Sequence, residues 1–164
     1  MSYGHSQDVY RLAEQLGRLL LERGAKVTVA ESCTGGGIAQ AITAISGSSQ
    51  WFDCAFVVYA NSAKQKLLGV DQGLLDQYGA VSEQVVQQMA TGAKNAAQAD
   101  YAVAVSGIAG PEGGTADKPV GTIWICWVTP EAILSEKFTL EGDRQRVREQ
   151  AVKISLQQLL HHLA

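Results

Sequence analysis

A short β-branched run, Lys26-Val27-Thr28-Val29-Ala30, breaks into the turn Glu31-Ser32-Cys33-Thr34-Gly35-Gly36-Gly37 and resumes as the helix-like Ile38-Ala39-Gln40-Ala41-Ile42. A strand that feeds a helix through a glycine turn is the first half of a β-α-β unit, so it points to an α/β chain. It also sets a hydroxyl at a strand-to-helix turn. Unpaired backbone N–H groups and the helix dipole favour negative charge there. Such a turn binds an anion or holds a nucleophile beside an oxyanion hole.

The rest of the chain continues the alternation. Residues 5–24 carry Val9, Leu12, Ala13, Leu16, Leu19 and Leu20 at helical spacing, with Gly24 as the stop. A helix is expected over roughly 35–45, a buried strand over 51–59, and short helices after Asn61 (as a cap) and over 71–78. Ser82 is a good N-cap for a helix to about Ala97, and 101–106 reads as another buried strand. The segment 107–119 holds four glycines and two prolines and should be an irregular loop. Strands over 120–129 and 133–140, joined by Thr129-Pro130-Glu131-Ala132, should be antiparallel. Asp143 can cap a last helix to about His162, whose apolar residues fall on two faces. This order predicts a three-layer α/β/α sandwich with a mixed, mainly parallel sheet, and at least one late strand running the other way.

Composition narrows the function. A length of 164 residues suggests one domain, and 46% hydrophobic with 18% charged residues suits an ordinary core. A net charge of −3 with no basic block makes nucleic acid a poor partner. No apolar run is long enough to span a bilayer, and Met1-Ser2-Tyr3-Gly4-His5 has no secretion core, so a cytoplasmic protein is expected. Cys33, Cys54 and Cys126 have no metal-type spacing, and Cys54 and Cys126 read as core residues. His5, His161 and His162 all lie at the chain ends. A triad with an interior histidine is thereby excluded, and neither a metal nor another cofactor is expected. If Ser32 is a nucleophile, a lysine is the obvious base.

Polar or glycine-rich segments follow three of the strands, where parallel α/β sheets bind ligands. Ser32 is a nucleophile or a plain N-cap. Cys33 is intrinsically the better nucleophile but has no histidine to activate it, which favours packing. Lys64, just beyond Tyr59 at a strand end, is a desolvated base or a solvated helix lysine like Lys66. The loop 106–114 offers backbone donors or is only a tight surface loop; it matches neither a P-loop nor G-x-G-x-x-G. Arg144, Arg146 and Arg148 at a helix start are electrostatically misplaced, which invites an anionic ligand, or they form a solvated face. Together these groups suit metal-free hydrolysis of a phosphorylated small molecule.

Four motifs, in order along nearly the whole chain, resemble those of the CinA carboxy-terminal domain family. They are Ala30-Glu31-Ser32-Cys33-Thr34-Gly35-Gly36, then Val58-Tyr59-Ala60-Asn61-Ser62-Ala63-Lys64, then Ser106-Gly107-Ile108-Ala109-Gly110-Pro111 with Lys118-Pro119-Val120-Gly121-Thr122, and last Gly142-Asp143-Arg144 with Arg148. The resemblance implies hydrolysis of the carboxamide of nicotinamide mononucleotide to nicotinate mononucleotide and ammonia, in pyridine-nucleotide recycling. It implies Ser32 as nucleophile, Lys64 as its base, and Tyr59 orienting or relaying the proton. It further implies Thr34, Gly35, Gly36, Asn61, Ser106 and Gly107 around the substrate, with Arg144 on its phosphate or on a developing charge. Position 106 is Ser where threonine is common in the family; both supply a hydroxyl. The amino-terminal domain of longer members has no counterpart here, so their pyrophosphatase activity is not expected. A nucleotide substrate and a homodimer are the expected partners. The rival reading is a nucleotide-binding module without turnover.

Overall fold

The computed structural model describes residues 5–164. Residues 1–4, part of the segment read above for a secretion core, lie outside the described residues. The elements are α1 (Gln7–Arg23), β1 (Val27–Glu31), α2 (Gly37–Thr43), β2 (Phe52–Val57), α3 (Asn61–Leu68), α4 (Gln72–Tyr78), α5 (Glu83–Ala97), β3 (Tyr101–Gly107), β4 (Thr122–Val128), β5 (Ile133–Thr139) and α6 (Arg144–Leu163). The strands form one sheet in the order β2-β1-β3-β4-β5. β1 pairs in parallel with β2 and β3, whereas β4 is antiparallel to both β3 and β5. β4 alone therefore runs against the other four strands, which is the expected mixed sheet.

Strand alternation sends successive side chains to opposite faces. Val27 and Val29 of β1, with Val103 and Val105 of β3, face a core built with α1, α2 and α6. Ala30, Ala102 and Ala104 face a second core built with α3, α4 and α5. The sheet thus sits between two helical layers, as an α/β/α sandwich. Side chains such as Leu16, Ile42, Met89 and Leu156 are wholly buried, each worth about 1.5–3 kcal/mol. Cys126 lies in the core, and Cys54 on the edge strand β2 is only half-buried. Among the described residues no helix is long and apolar enough to cross a membrane.

Four helix starts follow ordinary capping, with Ser6 Oγ accepting from the Val9 N–H at the start of α1. Asp71 Oδ1, Ser82 Oγ and Asp143 Oδ1 accept from the N–H groups of Leu74, Val85 and Arg146. Asn61 departs from expectation. It is the first helical residue, and Ala60 occupies the cap without a side-chain bond. The small residues of α5 let α3 settle close: a Cβ at Gly92 would overlap the carbonyl oxygen of Leu68. That approach brings α3, and Lys64 with it, down onto the end of β1.

Candidate active site

The end of β1 divides two neighbours between the two layers. The Ser32 N–H donates to the Val105 carbonyl at 3.0 Å, so the parallel ladder and its alternation run one residue past the strand. Glu31 therefore faces the layer that contains α2, and Ser32 faces the layer that contains α3. On that side the Lys64 Nζ lies 3.2 Å from Ser32 Oγ. The same Nζ donates to the carbonyls of Val58 at 2.9 Å and Tyr59 at 3.0 Å.

Lys64 is 1% exposed. Among the described residues the ion pairs are Lys26–Asp53 and Lys153–Asp8, so no carboxylate answers it. Burial lowers its pKa from the ordinary lysine value; the nearby Cys33 acts weakly in the other direction. A neutral amine has two hydrogens and one lone pair. Two carbonyls take the hydrogens, and the lone pair is left for the Ser32 hydroxyl. The solvated-lysine alternative does not hold for Lys64, whereas Lys66 on the same helix is exposed.

The turn after Ser32 is held by residues that local sequence reasoning passed over. The Glu31 carboxylate, 0% exposed, accepts from Thr34 Oγ1 at 2.6 Å and from the N–H groups of Ile38 at 2.9 Å and Ala39 at 3.0 Å. These are the donors an N-cap side chain would take, and the cap residue of α2 is Gly36, which has none. Ser32 is thus not an N-cap: α2 begins at Gly37, five residues beyond it. Nor is the start of α2 an open anion site, because Glu31 fills it. Gly35 and Gly36 take φ of 59° and 101°, which only glycine adopts without strain, and they fold the chain back far enough for Glu31 to reach. From α6, Arg148 Nε donates to the Cys33 carbonyl at 3.1 Å and its Nη2 to the Thr34 carbonyl at 3.2 Å. Cys33 is buried, and burial pushes its thiol up to about 12, which removes it as a rival nucleophile.

Backbone donors divide by the same bookkeeping. The Gly35 N–H is spent on the Ser32 carbonyl, and the Gly37 N–H on that of Thr34. The N–H groups of Thr34 and Gly36 have no protein acceptor among the described residues. Ile108 donates to Thr122 on the β4 side, so alternation turns the Gly107 N–H to the β1 side, level with Ser32. Ser106 is buried and lies on the Ser32 face of the sheet.

The rim is formed by more exposed residues. Arg144 Nη1 donates to the Gly110 carbonyl at 2.9 Å and Nη2 to the Tyr59 hydroxyl at 3.2 Å. Tyr59 is 62% exposed; its carbonyl meets Lys64, while its phenol meets Arg144. Asn61 is exposed at the start of α3, and Arg146 points to solvent on α6. A groove of about 980 Å³ runs along α2 and α6, walled in part by Thr34, Gln40, Arg144, Arg148 and Lys153. Of the three arginines, Arg144 and Arg148 meet the site and Arg146 does not. Among the described residues no three His, Cys, Asp or Glu side chains gather as metal ligands would.

A family model described as CinA C-terminal domain matches residues 9–163. The chain is 55% identical over 153 residues to a nicotinamide-nucleotide amidohydrolase PncC from Enterobacter agglomerans, covering 93% of each. It is 52% identical to the protein of that name from Escherichia coli (strain K12), again over 93% of each. Among solved structures, the competence/damage inducible protein CihA from Agrobacterium tumefaciens superposes with a TM-score of 0.94 at 40% identity, covering 98% of each chain. The competence damage-inducible protein A from Klebsiella pneumoniae gives 0.92 at 37% identity, covering 94% of this chain and 96% of that one.

Proposed function

The chain belongs to the CinA C-terminal domain family, and from that membership and the Ser32–Lys64 contact we propose that it is a nicotinamide-nucleotide amidohydrolase. The observation that carries the reading is a buried, carboxylate-free lysine 3.2 Å from a serine hydroxyl, with both other partners of its amine being carbonyls. The activity for which these relatives are named supports a nicotinamide-nucleotide substrate.

Ser32 Oγ attacks the carboxamide carbon of nicotinamide mononucleotide, and neutral Lys64 takes its proton. The Gly107 and Thr34 N–H groups receive the tetrahedral oxyanion. Lys64 returns the proton to the amide nitrogen, the C–N bond breaks, and ammonia leaves an acyl ester on Ser32. Lys64 then takes a proton from water, whose oxygen attacks the ester; return of that proton to Ser32 Oγ frees nicotinate mononucleotide for pyridine-nucleotide recycling. Arg144 holds the phosphate, and Gly36, Asn61 and Ser106 border the bound nucleotide.

The direct test is ammonia release from nicotinamide mononucleotide, with and without chelator. Turnover should be indifferent to chelator and fall by about 10³-fold or more in Ser32→Ala. Full turnover in Ser32→Ala overturns the mechanism. No release by the wild-type protein, with the nucleotide still bound, favours the binding module.

A further inference from the structure

Glu31 is a buried acid that the proposed chemistry does not use. It sits one residue before the nucleophile and on the opposite face of the sheet. Its backbone ends β1, and its carboxylate holds the first turn of α2 through Ile38 and Ala39. The segment 32–36 is therefore a short loop closed at both ends by one residue. Inside it, Thr34 Oγ1 donates to the same carboxylate, while the Thr34 N–H has no protein acceptor among the described residues. No lysine or arginine pairs with Glu31 among the described residues. All its partners are neutral donors belonging to this turn and to the helix that follows.

We infer that Glu31 is a positioning residue for catalysis: it sets the Ser32 hydroxyl against Lys64 and the Thr34 N–H toward the oxyanion. This inference rests on the Ser32–Lys64 reading and adds a residue to it. A helix cap could serve stability alone, so the distinguishing property is where the cost falls. Misplacing a nucleophile by about 1 Å costs about 100-fold in rate with little change in ground-state binding. Losing a mere cap lowers the melting midpoint and leaves the rate alone.

Glu31→Gln keeps the shape but turns an NH₂ toward N–H donors. The experiment compares it with wild type, Thr34→Val and Ser82→Ala. Ser82 caps α5 through Val85, hydrogen-bonds to none of Glu31, Ser32, Thr34 or Lys64, and serves as the stability-only comparison. Three quantities are read well below each melting midpoint: kcat and KM for ammonia release, and the rate at which a fluorophosphonate labels Ser32 by mass spectrometry. In Glu31→Gln, kcat and the labelling rate should fall about 10–100-fold, with KM within about twofold. Thr34→Val, which deletes one of the three donors, should fall about fivefold in kcat. Ser82→Ala should lose stability only. Glu31→Gln with wild-type kcat and labelling, and only a lowered midpoint, overturns the inference while leaving the Ser32–Lys64 reading intact. If Glu31→Gln does not fold, Thr34→Val decides: unchanged kcat overturns the positioning role. Wild-type protein that neither turns over nor labels at Ser32 overturns the underlying reading, and this inference with it.

Discussion

Glu31 and Lys64 are both buried ionisable side chains on opposite faces of the same sheet, one preceding Ser32 in the chain and the other reaching its hydroxyl from α3. Their partners differ in kind. Glu31 receives three donors, two of them from the positive end of a helix, so its charge is fully answered. Lys64 meets two carbonyl dipoles and a hydroxyl, with no anion, so burial drives it toward the neutral form. The answered charge builds the turn; the unanswered one is left able to accept a proton. Burial of an ionisable group is thus not by itself a mark of chemistry. The deciding property is whether its partners favour the charged state.

Removing the unanswered charge should break this contrast most severely. Lys64→Met should lower kcat/KM for ammonia release by about 10³-fold, and Lys64→Arg should fare no better because a guanidinium does not give up its proton. Lys66→Met, on the exposed side of α3, should stay within about twofold of wild type. The pH dependence has a definite sign. Lys64 must be deprotonated to accept the Ser32 proton, so activity should rise with pH through its folded pKa, which lies below the ordinary 10.5. Stability moves the same way. The unfolded chain holds that proton more tightly than the folded one, so stability rises with pH between the folded pKa and 10.5. Chemical denaturation across that window should show the slope in wild type and lose its Lys64 share in Lys64→Met. A flat rate profile over the same window would remove Lys64 as the base.

Much of the sandwich was legible because strands and helices announce themselves by period. The β-branched run at 27–30, the caps at Ser82 and Asp143, and the turn 129–132 all depend on local chemistry, which a single sequence carries. Lys64 was legible as a candidate, but its burial was not: on α3 it is one of two nearby lysines, and only the close seating of α3 against α5 separates it from Lys66. Glu31 was passed over because its partners lie beyond a turn whose glycines reverse the chain. Side-chain reach across such a turn is a tertiary fact. One signal was present: an acid closing an otherwise uncharged strand before a helix whose own cap is glycine. Arg148 was grouped with its neighbours on charge alone. Its contact with the Cys33 and Thr34 carbonyls spans more than a hundred residues of sequence.

Arg144 extends the contrast to the rim. Like Lys64 it meets only neutral oxygens, those of Gly110 and Tyr59, but it is exposed and cannot lose its proton. Such a cation awaits an anion rather than a proton. Arg144→Ala should therefore raise KM for nicotinamide mononucleotide about tenfold, equivalent to about 1.4 kcal/mol, and leave kcat within about threefold. A kcat that collapses with unchanged KM would place the guanidinium at the reacting carbon instead.

The smallest effect should come from Tyr59, and it separates two roles for one residue. Its carbonyl orients Lys64, and no substitution of the side chain removes that contact. Its phenol touches Arg144 at 3.2 Å from a position open to water, where a hydrogen bond is worth about 1 kcal/mol or less. Tyr59→Phe should lower kcat/KM only about two- to fivefold. The loss should vanish when measured in the Arg144→Ala background, because the phenol acts through that guanidinium. A proton relay through the phenol predicts the opposite pattern: a kcat loss of about 100-fold or more that persists without Arg144.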